Sequence, residues 1–130
     1  MKAVIVYYSL TGTTQKLAER MAGMLQCDTL RLPLFSRKVL EGQYDLVIVG
    51  TPIWLYGPAF PTGGFLSRNK GKLPEVAFFC TYQTTIGASF SKMEHKCGKK
   101  PLGSLKLKAG EIGSEAGDQQ LKECLDKIRK

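Results

Sequence analysis

Two periods of apolar spacing alternate along the chain. Ala3–Tyr8 is an unbroken apolar run with the length and β-branched content of a buried strand. Leu17, Ala18, Met21, Ala22, Met24 and Leu25 then recur at spacings that line one face of a helix beginning at about Gly12. Asp28–Leu32 reads as a short strand stopped by Pro33. Leu34–Gln43 reads as a compact crossover, where Ser36 caps one or two turns through Val39 and Leu40 and Gly42 closes them. Tyr44–Gly50 is a second buried strand, apolar on both faces from Leu46 to Val49, as in strands covered by helices on both sides. Thr51–Pro61 reads as a loop rich in aromatics and prolines, and Thr62–Asn69 as a helix weakened by Gly63-Gly64. Val76–Thr81 is a third central strand, followed by a helix with Ile86, Phe90, Met93 and Cys97 on one face. Pro101–Lys108 has the lysines of an edge strand. The final helix is expected to start near Asp118 as N-cap, with Leu121, Cys124, Leu125 and Ile128 on its buried face.

This order, β-α-β-(short α)-β-α-β-α-β-α, predicts one domain over residues 1–130. It is an α/β fold, an open parallel sheet with helices on both faces. Ligands of such sheets bind beyond the C-terminal strand ends at the switch point. Three segments are expected to meet there: Ser9–Thr14, Thr51–Gly57 and Thr81–Thr85.

Charge adds a question about partners. Of a net charge of +8, the stretch Arg68–Lys108 contributes +7, from nine basic residues against Glu75 and Glu94. Such a face suits nucleic acid, an anionic membrane surface or an acidic protein, or is simply a solvated lysine-rich face. The lysines are not interleaved with aromatics and no nucleic-acid motif occurs, which argues against nucleic acid. The apolar runs fall far short of a membrane span, and Ala3–Tyr8 is too short for a signal-peptide core, so the expected compartment is the cytoplasm. The cysteines, Cys27, Cys80, Cys97 and Cys124, are scattered and accompanied by one histidine, His95. That spacing supports neither a zinc site nor an iron–sulfur cluster, and reduced, mostly buried thiols are expected.

The candidate chemistry lies in the three loops. Ser9-Leu10-Thr11-Gly12-Thr13-Thr14 joins a strand to a helix, so free N–H groups and the positive helix end converge on it. Hydroxyls from Ser and Thr add donors, and Gly12 lets the backbone approach closely. The segment reads as a phosphate cradle or as an ordinary N-cap turn. It lacks the Gly-x-x-x-x-Gly-Lys of P-loops and the Gly-x-Gly-x-x-Gly of dinucleotide binders. No Lys or Arg occurs within it, so an anion there would be held by neutral donors. The second loop carries the only tryptophan, Trp54, and then Tyr56. Trp54 is either a platform for a flat ligand or a ring folded back onto the domain. The third loop offers Thr and Gln side chains to the edge of a polar ring.

At these residues the chain resembles the flavodoxin family. Ser9–Thr14 matches the flavodoxin phosphate loop, Ser/Thr-x-Thr-Gly-x-Thr, at every defined position. The strand Val47–Gly50 running into Thr51-Pro52-Ile53-Trp54 is similar to the flavin-stacking loop. The resemblance extends from Lys2 to the final helix. It implies five parallel strands in the order 2-1-3-4-5 and non-covalent FMN, with electrons passed between larger redox partners. Ser9, Leu10, Thr11, Gly12, Thr13 and Thr14 would hold the phosphate. Pro52, Ile53, Trp54, Leu55, Tyr56 and Gly57 would flank the isoalloxazine, with Trp54 or Tyr56 stacked on it. Thr81, Tyr82, Gln83, Thr84 and Thr85 would border the pyrimidine edge. Neither a catalytic residue nor a metal ligand is implied.

The chain departs from the family in being basic and in its short crossover. Its third loop lacks acidic and glycine-rich character, and Gly57 stands before Pro58. The expected function is FMN-dependent electron transfer to redox proteins, including ones with acidic docking faces, by a monomer or weak dimer. The alternatives are a small FMN-dependent NAD(P)H oxidoreductase acting on quinone or nitro acceptors, and a binding module of this fold without flavin. A phosphorelay receiver is excluded, because Tyr8-Ser9 and Gly50-Thr51 stand where its acidic residues would be. A low-molecular-weight phosphatase would need a Cys after the first strand, and none is there.

Overall fold

The computed structural model describes residues 2–32, 43–54 and 56–129. The expected crossover lies outside them except for Gln43, and so does Leu55. The elements are β1 (Ala3–Tyr7), α1 (Thr13–Leu25), β2 (Asp28–Arg31), β3 (Leu46–Trp54), β4 (Gly57–Pro58) and α2 (Phe60–Arg68), followed by β5 (Glu75–Tyr82), α3 (Ser89–Cys97), β6 (Ser104–Lys108) and α4 (Glu115–Arg129). Parallel pairing gives the order β2-β1-β3-β5-β6, while the two-residue β4 pairs antiparallel with the end of β3. Counted without β4, this is the expected order 2-1-3-4-5.

The period-2 alternation of the strands sorts their side chains into two cores. Ile5, Tyr7, Leu46, Ile48, Ala77 and Phe79 face α1 and α4, against Leu17, Met21, Leu121 and Leu125. Val4, Val6, Val47, Val49, Val76 and Phe78 face α2 and α3, against Phe65, Leu66, Met93 and Cys97. Strands apolar on successive residues therefore need helices on both sides, as the sequence implied.

Gly50 is the exception inside β3. It lies in register with Phe79 of β5, and an ideal Cβ on Gly50 would stand 1.9 Å from the Phe79 ring. The ring fills the space a side chain would take.

The structure corrects several element boundaries. β3 continues through Thr51, Pro52, Ile53 and Trp54, which were expected in a loop. Pairing with β5 extends to Pro52↔Thr81, and β4 then turns back along Ile53 and Trp54. Two prolines in this stretch disguised it, since proline lowers any strand reading. The Thr51 hydroxyl ties the turn together by accepting the Ala59 N–H at 3.0 Å and donating to the Pro52 carbonyl at 2.8 Å. α2 starts at Phe60 with Pro61 in its first turn, where a missing N–H costs nothing.

α4 starts at Glu115 rather than at Asp118. The Ser114 hydroxyl accepts the Gly117 N–H at 3.0 Å, which is the N-cap bond. Asp118 instead takes both guanidinium arms of Arg20, at 2.7 and 2.6 Å, clamping α4 to α1. That hydrogen-bonded guanidinium holds the Asp118 carboxyl below its ordinary pKa. All four cysteines are free thiols, three of them buried. Burial pushes Cys80 up to about 12 and Cys124 up to about 11, so both are neutral near pH 7.

Candidate functional site

The C-terminal ends of β1, β3 and β5 open onto one cleft of about 540 Å³. Leu10, Thr11, Thr13 and Thr14 line it from the first loop, and Pro52, Ile53, Trp54 and Tyr56 from the second. Thr81, Tyr82, Gln83, Thr84 and Thr85 line it from the third. Ala109 adds a fourth wall from the turn after β6, a position with no distinguishing signal in the sequence.

In the first loop, structural and ligand-facing roles are divided among the hydroxyls. Ser9 is buried, and its Oγ accepts the N–H groups of Gly12 at 3.1 Å and Gln15 at 3.2 Å. Ser9 thus holds the turn instead of lining the cleft. Gly12 also stands outside the lining residues. Its φ of +97° is left-handed, and a Cβ there would meet nothing, so the need for glycine is conformational rather than steric. The helix then begins with no acidic residue in its first turn and no side-chain cap on Gly12. Helix geometry leaves the N–H groups of Thr13 and Thr14 without intrahelical acceptors at the positive end of the dipole.

The threonine hydroxyls complete the donor set. Thr11 Oγ1 and Thr13 Oγ1 lie 3.5 Å apart at the mouth of the loop. Thr14 Oγ1 and Thr81 Oγ1 form a buried hydrogen bond of 2.8 Å, joining the first loop to the end of β5. Either oxygen of that pair serves as donor.

A cation stands beside the loop although none lies within it. Arg31, the last residue of β2, donates from Nη2 to the Ser9 carbonyl at 2.6 Å and from Nη1 to Gln15 Oε1 at 3.0 Å. It braces the turn from behind and brings positive charge to it. Sequence reasoning missed Arg31 because only the β1–β2 register, Tyr7↔Arg31, places it there. An anion in the loop would meet neutral donors in front of a guanidinium.

In the second loop, Trp54 is half-buried between two aromatic rings. Tyr8 lies at 5.5 Å and Phe60 at 6.4 Å between centroids, both edge-to-face, at 86° and 78°. Trp54 therefore leans on its own domain along its edges while still lining the cleft. Tyr56 is 65% exposed and has a left-handed φ of +63°, a strained conformation for a non-glycine residue. Its carbonyl accepts Lys92 Nζ at 3.2 Å and Ser89 Oγ at 3.4 Å, which hold it there. Gly87 is the other condition, since a Cβ at that residue would stand 3.0 Å from the Tyr56 Cβ. Gly57 is buried under the Lys92 side chain and does not line the cleft.

The third loop is more open. Gln83, Thr84 and Thr85 are exposed, and Thr85 Oγ1 accepts the Gly87 N–H at 3.1 Å. Lys108 Nζ stands 5.8 Å from the centroid of the half-buried Tyr82 ring.

Neither a protein-family model nor a curated protein matches the chain significantly. Solved structures do. A flavoprotein in complex with FMN from Lactobacillus acidophilus superposes with TM-score 0.69 at 23% identity, over 92% of this chain and 97% of its own. Oxidised flavodoxin 1 from Bacillus cereus gives TM-score 0.72 at 16% identity, over 99% and 98%. An NADH:FMN oxidoreductase in its apo form gives TM-score 0.73 at 16% identity, over 99% and 89%. The fold is flavodoxin-like. Among the described residues, no helix is long and apolar enough to cross a membrane.

Proposed function

We propose that the chain binds FMN in this cleft and carries electrons between redox proteins. One observation carries the reading. The same cleft is lined by Thr11, Thr13 and Thr14 of the loop at a helix N-terminus and by the aromatic side chains of Trp54 and Tyr56. A volume of about 540 Å³ falls within the range of roughly 300–1,000 Å³ usual for small-ligand and cofactor sites.

The N–H groups of Thr13 and Thr14, with the hydroxyls of Thr11 and Thr13, would take the phosphate, and Arg31 would raise the potential behind it. Trp54 and Tyr56 would flank the isoalloxazine and keep water from its faces. The exposed amide of Gln83 and the hydroxyls of Thr84 and Thr85 would meet its polar edge. Bound FMN supplies one- and two-electron chemistry; the protein binds, orients and tunes it. FMN should quench most of the Trp54 emission at stoichiometric binding, since this is the only tryptophan. Emission unchanged after correction for inner-filter loss would refute stacking at Trp54.

A second reading, a small FMN-dependent NAD(P)H oxidoreductase, draws on the likeness to the NADH:FMN oxidoreductase. Steady NAD(P)H oxidation by the purified holoprotein alone would favour it over the carrier.

For the carrier, we assign partner choice to the basic face. Lys92 and Lys96 stand beside Trp54, and Arg68 lies on the neighbouring helix α2. Cations next to the cleft favour acidic docking faces and raise association rates at low salt. Electron transfer to an acidic redox protein should therefore be faster at low than at high ionic strength, and faster than to a basic one. Stopped-flow rates that are flat with salt for both would eliminate this docking mode.

A further inference from the structure

A second concavity, of about 660 Å³, shares Trp54 with the cleft and lies between β4, α2 and α3. Its composition is unusual. Gly57, Gly63 and Gly64 form much of its floor, and a cationic side chain lies along each of them. A Cβ on Gly57 would stand 3.4 Å from Lys92 Nζ, one on Gly63 3.5 Å from Lys96 Cε, and one on Gly64 3.1 Å from Arg68 Nη1. Gly57 and Gly63 thus make room for the Lys92 and Lys96 side chains on the groove wall, while Arg68 lies along Gly64 outside the lining. The end of the groove is aromatic: Trp54 on one side and Phe60, 81% exposed, on the other. An exposed phenylalanine is costly in water unless something covers it.

We propose that this groove is a second ligand site, taking a small planar aromatic anion such as an aromatic sulfonate or carboxylate. The flat ring would lie against Phe60, Trp54 and the stems of Lys92 and Lys96. The acid group would sit between Lys92 and Lys96, which follow one another by one helical turn on α3. A concavity of this size falls within the range of roughly 300–1,000 Å³ usual for small-ligand sites. Charge selects an anion: the groove has cations on its walls and no carboxylate among its lining residues. Trp54 lines both the groove and the cleft.

The probe is naphthalene-2-sulfonate, titrated calorimetrically into protein saturated with FMN. We expect one site per chain, with binding weakened at least tenfold when the neutral naphthalene-2-sulfonamide replaces it. Lys96→Glu, which leaves the cleft loops untouched, should weaken the sulfonate at least tenfold and leave FMN affinity unchanged. Gly63→Leu should fill the groove and abolish sulfonate binding, again with FMN affinity unchanged by flavin fluorescence. Sulfonate binding that disappears on saturation with FMN, or that Lys96→Glu does not alter, overturns the proposal. The two readings fail separately. If wild-type protein takes no FMN but binds the sulfonate at one site sensitive to Lys96→Glu, the cleft assignment falls and the groove stands.

Discussion

Gly50→Ala should destabilise the protein by roughly 2–3 kcal/mol, the upper part of the usual range for overpacking a core. The added methyl would stand 1.9 Å from the Phe79 ring, which is itself fully buried. The urea midpoint of the variant checks this. The clash is with a side chain, so a smaller residue opposite should relieve it. Gly50→Ala combined with Phe79→Leu should lose less than the sum of the two single changes, a coupling that neighbours in contact show and distant sites do not. A midpoint unchanged in Gly50→Ala would mean that the Phe79 ring does not occupy that space. Because Gly50 is four residues before Trp54 on β3, the same clash would also displace the second wall of the cleft.

Replacing Thr11 and Thr14 together with Ala should weaken FMN at least tenfold, because it removes the Thr11 hydroxyl assigned to the phosphate. Hydrogen bonds to a charged group contribute about 1.5–3 kcal/mol each, and tenfold in affinity is about 1.4 kcal/mol. Riboflavin, which has no phosphate, should be affected far less. Fluorescence titration with both ligands therefore separates phosphate contacts from general damage to the cleft. The Thr14 part has another origin, because the change orphans the buried hydroxyl of Thr81. That part appears as lost stability, about 1–3 kcal/mol, and Thr81→Ala alone should reproduce it from the other side. Equal losses for FMN and riboflavin would show that the first loop does not hold the phosphate.

The sheet was legible because its central strands are apolar on successive residues and its helices on one face only. Those two periods suffice to name the elements and to place three loops at one end. Strand and helix ends were less legible wherever a residue's usual meaning was overridden by tertiary pairing. Pro52 and Pro58 suggested a loop, yet both sit in strands, where Pro58 pairs at the edge against Ile53. Gly63-Gly64 argued against a helix, but burial of Phe65 and Leu66 outweighs the propensity cost of about 1 kcal/mol per glycine. Asp118 has the chemistry of a cap, but Ser114 has the position, and Asp118 is drawn to Arg20. Within the first loop the sequence could list hydroxyls but could not divide them. Only the packing shows that Ser9 turns inward, that Thr14 reaches Thr81, and that Arg31 arrives from another strand.

The Thr14–Thr81 bond has a kinetic consequence. It ties two walls of the cleft to each other through a buried contact between the protein's own side chains, while Arg31 fixes the turn beside it. Binding need not order these segments, so little of the interaction energy is spent on lost loop freedom. Arrival should then be a simple bimolecular encounter, linear in ligand concentration and without a slow rearrangement behind it. Differences in affinity among variants of the cleft would be written in how long the ligand stays, not in how quickly it enters.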